Sequence, residues 1–544
     1  MNINRRRFLK VSAGAAAYAA ASFGLPGTVK AGTPWGVLPA SAGDLPKYKV
    51  LEIFCPGGVS QWENLWVSHD GPENGNLNWR GVAEYVQNLN WNECVGAPPY
   101  SVKTQAFEED ANGTPISWGP ATAPLWRPDI LNRSRMLVTQ HADDIHAFAG
   151  YRTLTGRRFG SPRGASLGAA IQRHYQSIGH QDIPYSYVFA PKHLGKAYVL
   201  TNAMLIGQHP GPSRPIGLKV GDAIGNLLQR DGISGSADAI FNKLRDQYRD
   251  LLRWQGVGSP VRSPDFASYD SAGDYLVKGG QLDQHLGGDA MVAGTSVPCT
   301  SDPDHSFGEL DNPTKRSLEL AAHMLNNGAR HITVIDGGLP DSLLRNSGTP
   351  YDAHNNAPGK SRNVVETTSV HLFNLLQSLA AVIQGPENTL ASKALASPSG
   401  PKIDLDDTIV LIHSEFNRTP NPGTGVNGNG YAYAGREHFP AATVALLIGG
   451  PVTERGIFGG IELVDNDPNT ARATTPLSPT DVHAGAMLAA GIDPIDPDNF
   501  TVGDDFSNQV NPGGNAYADE IRMHLKQKVL GVQNSIGSTL VGNS

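Results

Sequence analysis

The chain predicts an α/β protein with a largely parallel central sheet and helices on both faces. Two observations carry this. Short apolar runs recur, each closed by glycine or polar residues: YKVLEIFCPGG (Tyr48–Gly58), RMLVTQH (Arg135–His141), RHITVIDGG (Arg330–Gly338), DTIVLIHSE (Asp407–Glu415) and TVALLIGG (Thr443–Gly450). Runs that are apolar throughout, rather than alternating, read as strands buried on both faces, as in parallel sheets. Segments of helical period lie between them, and strands alternating with helices define the α/β layer architecture.

Taken in order, the first element is not part of the fold. NRRRFLK (Asn4–Lys10) precedes a mild apolar stretch, Val11–Leu25, and then the small residues of Val29–Ala31. This is the layout of a cleaved export signal, and the paired arginines mark the twin-arginine route. Residues 1–31 are expected to be removed. The remainder, 32–544, is expected to form one domain in the periplasm or outside the cell. The apolar stretch, about 15 residues, is short for a bilayer span. No other segment reaches that length, so no membrane span is expected in the mature chain.

Glycine and proline are abundant (62 and 39 of 544 residues) and only 17% of residues are charged, which favours ordered loops over long surface helices. Residues 76–128 and 207–305 are irregular and read as insertions. Three helices stand out. KRSLELAAHMLNNGAR (Lys315–Arg330) leads through Gly328 into the third strand. SVHLFNLLQSLAAVI (Ser369–Ile383) puts Leu372, Leu375, Leu376 and Leu379 on one face. SPTDVHAGAMLAAGI (Ser478–Ile492) opens on a capping sequence and closes at Gly491. The net charge of −8 gives no footing for a nucleic-acid partner. Cys55, Cys94 and Cys299 allow one bridge with one thiol left over, so no disulfide framework is expected.

In open α/β sheets ligands collect beyond the carboxyl ends of the strands. Those ends carry Ser60 and Glu63 after the first strand; His141, Asp143, Asp144 and His146 after the second; Asp352 and His354 after the third; and His413, Glu415 and Arg418 after the fourth. Arg436, Glu437 and His438 precede the fifth. Histidine and carboxylate from several strand ends make an N/O ligand set suited to zinc, manganese or iron. The arginines can fork an oxyanion. Glu415 and Arg418 can equally pair with each other.

The order of these motifs resembles an exported family called domain of unknown function 1501, grouped with the alkaline phosphatase and sulfatase superfamily. That family carries GGPSQxDxFD, WDTH, EFGRTP, GRDHWP and TPxDxxATxxxxxGIDP. This chain has GGVSQWENLW, YDAH, EFNRTP, GREHFP and SPTDVHAGAMLAAGIDP, in that order, between Tyr48 and Pro494. It also carries DDIHAFAGYRTLTGR where the family has a His-bearing loop and a TGR element. The resemblance implies an alkaline-phosphatase-like core. It implies that Glu63, Asp352, His354, Glu415 and His438 would hold a divalent ion, zinc or manganese. Ser60 would be the nucleophile or orient one, and Arg418 would neutralise the ester oxyanion. The expected function is hydrolysis of a phosphate or sulfate ester, on a small molecule or a polymer. Glu63 and Glu437 stand where the family carries Asp, and Trp66 replaces its next acid. These changes motivate the rival expectation, a non-catalytic protein that binds a surface partner on the same scaffold. A redox role finds no motif.

Overall fold

The structure, a computed structural model, describes residues 48–68, 104–161, 164–177, 186–191, 215–220, 235–255, 313–338, 351–352, 364–385, 401–419, 437–464, 467–495, 505–514 and 516–532. Residues 1–31 and His354 lie outside them. The strands in chain order are β1 (Lys49–Phe54), β2 (Val67–Ser68), β3 (Gln105–Glu109), β4 (Pro115–Trp118), β5 (Ser134–Thr139), β6 (Tyr187–Pro191), β7 (Ile216–Val220), β8 (His331–Ile335), β9 (Thr408–His413), β10 (Asn417–Arg418), β11 (His438–Phe439), β12 (Thr443–Gly449), β13 (Gly456–Phe458), β14 (Gly460–Val464) and β15 (Asp467–Thr474). The helices are α1 (Pro128–Leu131), α2 (His146–Thr155), α3 (Leu167–Ser177), α4 (Gly235–Trp254), α5 (Pro313–Asn326), α6 (Val364–Val382), α7 (Pro479–Ala489) and α8 (Ala518–His524).

Eight strands form one sheet in the order β13-β5-β12-β9-β1-β8-β6-β7. All five strands expected from the sequence are in it. β1 runs parallel to both β8 and β9. β12 alone runs the other way, antiparallel to β5 on one side and β9 on the other. The strands alternate their side chains between two apolar layers, as the pleat requires. Leu51, Ile53, Val410 and Ile412 pack with Leu318 of α5 and Leu375 of α6. Val50, Ile409 and Leu411 pack with Ile171 of α3 and Leu488 of α7. Helices therefore cover both faces, and the α/β expectation holds.

α7 begins as its sequence dictates. Ser478 caps it, accepting a bond from the Asp481 N–H, while the Asp481 side chain accepts from the Ser478 N–H. Burial pushes the Asp481 carboxyl up to about 6, against the bonds it accepts from Ser478 and Ser507. The described parts of the two expected insertions hold β3 and β4, which join β2 in a separate three-stranded sheet, and also β7 and α4. Among the described residues no helix is long and apolar enough to cross a membrane.

Candidate metal centre

Parallel strands end on one edge of a sheet. The residues after β1, β5, β8 and β9 therefore share an edge. The reversed β12 brings the chain that precedes it, with His438, to the same edge.

Three side chains meet there. His146 is the first residue of α2, Asp352 follows the buried Tyr351, and His438 lies in β11, paired with Arg418 of β10. One ligand atom from each lies within 4.8 Å of the other two. The His146 and His438 Nε2 atoms are 3.0 Å apart, and Asp352 Oδ1 is 3.7 Å from His146 Nε2. Each ring's other nitrogen is committed. His146 Nδ1 is 2.7 Å from Glu415 Oε1, and His438 Nδ1 donates to the backbone carbonyl of Asp144. A carbonyl only accepts, so His438 Nδ1 carries hydrogen; the carboxylate asks the same of His146. Both Nε2 atoms then face each other as lone pairs unless a proton or a cation lies between them. Burial alone would lower the His146 pKa, but the bonds and charges of Asp352 and Glu415 outweigh it and lift it to about 9. A proton on His146 accordingly fills the gap when no cation does.

Glu415 stands behind this group rather than in it. It is buried, and its Oε1 also accepts the Gly57 N–H at 2.7 Å. Burial would raise its pKa; the His146 contact and the Gly57 amide hold it below the usual carboxylate value. A carboxylate on the far nitrogen of a ligand imidazole fixes the ring and its tautomer. His141 Nε2 lies 2.6 Å from the Glu415 carbonyl oxygen, so the strand end is bonded on its main chain as well. Phe416 lies against both histidine rings, with centroids 4.1 Å from His438 and 4.9 Å from His146.

Arg418 is fully buried. Its guanidinium donates to the carbonyls of Gly57 and Gly58 and to Asp352 Oδ1, the last at 2.8 Å. Gly57 has φ +114, and an added Cβ would lie 2.5 Å from the Asp352 nitrogen, so only glycine permits this approach. The Ser60 hydroxyl donates to Glu63 Oε2 at 2.8 Å, and both residues are buried.

Of the residues singled out in the sequence, the structure thus brings Asp352 and His438 together with His146, puts Glu415 and Arg418 in contact with them, and turns Ser60 onto Glu63. His146 was visible in the sequence as one of four polar residues after the second strand. It is also the histidine of DDIHAFAGYRTLTGR, the stretch matched to the family's His-bearing loop, whereas His141 lies outside that stretch and bonds the main chain.

The donor set fits a divalent ion. Two imidazole nitrogens and one carboxylate oxygen, with the outer imidazole positions secured, form the three-ligand arrangement that leaves a coordination position for water or substrate.

The family described as "Protein of unknown function (DUF1501)" matches residues 300–508, a stretch that holds Asp352, Glu415, Arg418 and His438. The resemblance read from the motifs is borne out there. No curated protein matches the chain. Similar solved structures include the PsFucS1 sulfatase from Pseudoalteromonas sp., at 10% identity and TM-score 0.32, covering 83% of this chain and 69% of that one. Ps i-CgsB in complex with k-i-k-neocarrahexaose is similar at 10% identity and TM-score 0.30, covering 84% and 74%. A protein in the alkaline phosphatase superfamily from Vibrio parahaemolyticus is similar at 8% identity and TM-score 0.28, covering 84% and 68%. Scores of this size say nothing about activity or substrate.

Proposed function

We propose that the chain is an exported, metal-dependent hydrolase of phosphate or sulfate esters, of small molecules or of a polymer. The observation that carries this is the convergence of His146, Asp352 and His438 with both outer imidazole nitrogens bonded. These three would hold the ion, zinc or manganese. Bound there, it would polarise an ester oxygen and lower the pKa of water. The chain's own residues do the rest. Glu415 holds His146 in one tautomer. Arg418, anchored on the Gly57 and Gly58 carbonyls, fixes Asp352. Phe416 covers one side of the histidine pair. With the Ser60 hydroxyl bonded to Glu63, the attacking group is assigned to water. Export rests on the Arg5–Arg6 pair and the segment after it.

One observation favours a second reading, a binding protein without catalysis. The Arg418 guanidinium is engaged by three acceptors and fully buried, so it does not face a substrate.

Metal content, chelation and ester hydrolysis together decide. Purified protein should carry close to one divalent ion and lose thermal stability on chelation. At about 100-fold excess of free ion over its dissociation constant, the stabilisation is about 2.7 kcal/mol. His438→Ala should abolish the ion and the chelator response. Hydrolysis of aryl phosphate or aryl sulfate that disappears in His438→Ala supports the hydrolase. Metal binding without hydrolysis supports the binding protein, and protein without metal and indifferent to chelation sinks the hydrolase and leaves the binding protein.

A further inference from the structure

Asp336 is the first residue beyond β8 and is wholly buried. Its carboxylate ties three pieces of chain together. Oδ1 accepts the Thr314 hydroxyl from α5 at 2.7 Å and the Gly338 N–H at 3.0 Å. Oδ2 accepts the hydroxyl of Tyr351. Gly338 and Tyr351 lie 2 and 15 residues after Asp336. One carboxylate therefore holds Gly338 and Tyr351 together. The residue after Tyr351 is Asp352.

Tyr351 is gripped from a second direction. Gly57 packs so closely on the Tyr351–Asp352 peptide that a Cβ there would lie 2.5 Å from the Asp352 nitrogen and 2.8 Å from the Tyr351 carbonyl carbon. Tyr351 is fully buried, with its ring edge-on to His371 of α6 at a centroid distance of 6.4 Å. Phenylalanine would supply the same packing. The hydroxyl adds a directed bond to one carboxylate. Metal sites tolerate errors of only about 0.2 Å in ligand distance, so a ligand that lies outside the strands needs its backbone fixed by its neighbours.

We infer that Asp336 and Tyr351 are positioning residues, a clasp that sets where the Asp352 carboxylate meets His146 and His438. The inference rests on the metal-site reading above, and its test separates the two. Zinc affinity is measured by competition with a chromogenic chelator for wild type, Tyr351→Phe and Asp336→Asn, with the melting temperature of each metal-free protein alongside. A crystal structure of metal-free Tyr351→Phe provides a readout that needs no ion.

Tyr351→Phe should weaken zinc binding about 10-fold or more, the loss usual for a supporting partner of a ligand. In its crystal structure the 2.8 Å contact between Asp352 and Arg418 should open. Asp336→Asn should weaken zinc in the same direction, and it serves if Tyr351→Phe does not fold. Zinc affinity equal to wild type in the folded variants overturns the inference, even if melting falls, since that is the mark of a merely structural bond. If wild type itself takes no zinc, the metal reading fails. The crystal structure then judges the clasp alone: a displaced Asp352 supports it and an unmoved Asp352 overturns it.

Discussion

At Glu52, in the middle of β1, two imidazoles flank one carboxylate. His331 Nε2 from β8 lies 3.3 Å from Oε2, and His413 Nε2 from β9 lies 3.2 Å from Oε1. At the sheet edge, His146 and His438 are joined by Asp352 instead. Each group is two histidines and one carboxylate, Glu52 in the core and Asp352 at the edge. In the core group the carboxylate lies between the rings, so each nitrogen faces negative charge, and all three side chains are at most 5% exposed. The Thr333 hydroxyl adds a bond to Oε2 at 2.9 Å. Burial would raise the Glu52 pKa, but the two histidines hold it far below the usual carboxylate range. In the edge group the rings face each other, and the side chains of His146 and Asp352 are 37% and 17% exposed. A closed set of paired side chains makes structure. A set whose lone pairs converge at an accessible edge invites a cation.

The largest expected effect sharpens that contrast on the core side. Glu52→Ala takes away the buried carboxylate that lies between the His331 and His413 rings in a sealed space. Removing one partner of such a buried group costs about 3–5 kcal/mol. Denaturant unfolding should show that loss. In whatever fraction folds, zinc content should be unchanged, whereas a loss of zinc would merge the two groups into one site.

Acid should act on the same side. The Nε2 of His483, on α7, is sealed from water and bonded to no described group. Burial lowers its pKa to about 4, against the raising influence of Glu52. The unfolded chain takes up this proton near pH 6.5 and the folded chain only near 4. Stability is thus fully present above 6.5 and falls as pH drops towards 4, by at most about 3 kcal/mol. Asp481, raised to about 6, works in the opposite direction, being stabilised as pH drops from 6 to about 4. The difference between wild type and His483→Gln therefore isolates the effect, and its slope over this window is the measurement. Parallel profiles for the two proteins would remove His483 from the account.

The smallest effect tests the edge. Glu415→Gln keeps the shape behind His146 and removes the charge. Zinc affinity should fall about 10–100-fold while the stoichiometry stays at one. Calorimetry in buffers of different ionisation enthalpy should show wild type releasing close to one proton per zinc at pH 7, because His146 holds one until about 9. Glu415→Gln should release less. An unchanged affinity would mean that Glu415 supports the strand end and not the ligand.

The sheet was legible because its strands are apolar on both faces, and five of its eight strands could be read directly. β6 and β7 are short, and their bounds carry no comparable signal. The reversal of β12 was invisible, since strand direction is a property of the path between strands. That reversal explains why His438, which lies before a strand, reaches the same edge as residues that follow strands. The Glu52 group was hidden for a related reason. Its members sit one each in three separate runs, and only the register β8–β1–β9, which pairs His331 with Val50 and His413 with Phe54, sets both rings diagonal to Glu52. His413 stands two residues before Glu415 in the sequence and was grouped with it, yet it is the last residue of β9 and lies against Glu52 inside the sheet, whereas Glu415 lies past the strand end. For the edge group, the sequence supplied Asp352, His438 and Glu415 but not their order from the ion outwards. That order depends on ring orientation.

The buried Arg418 also fixes an electrical property of the edge. Glu415 and Asp352 carry negative charge. Arg418 and a protonated His146 carry positive charge, so the metal-free assembly is neutral. Arg418 cannot swing away, held as it is on two carbonyls of the glycine turn. Exchange of the single proton for a divalent cation therefore leaves one uncompensated positive charge in a half-enclosed place. An anion arriving there meets an attractive potential only after the exchange has occurred.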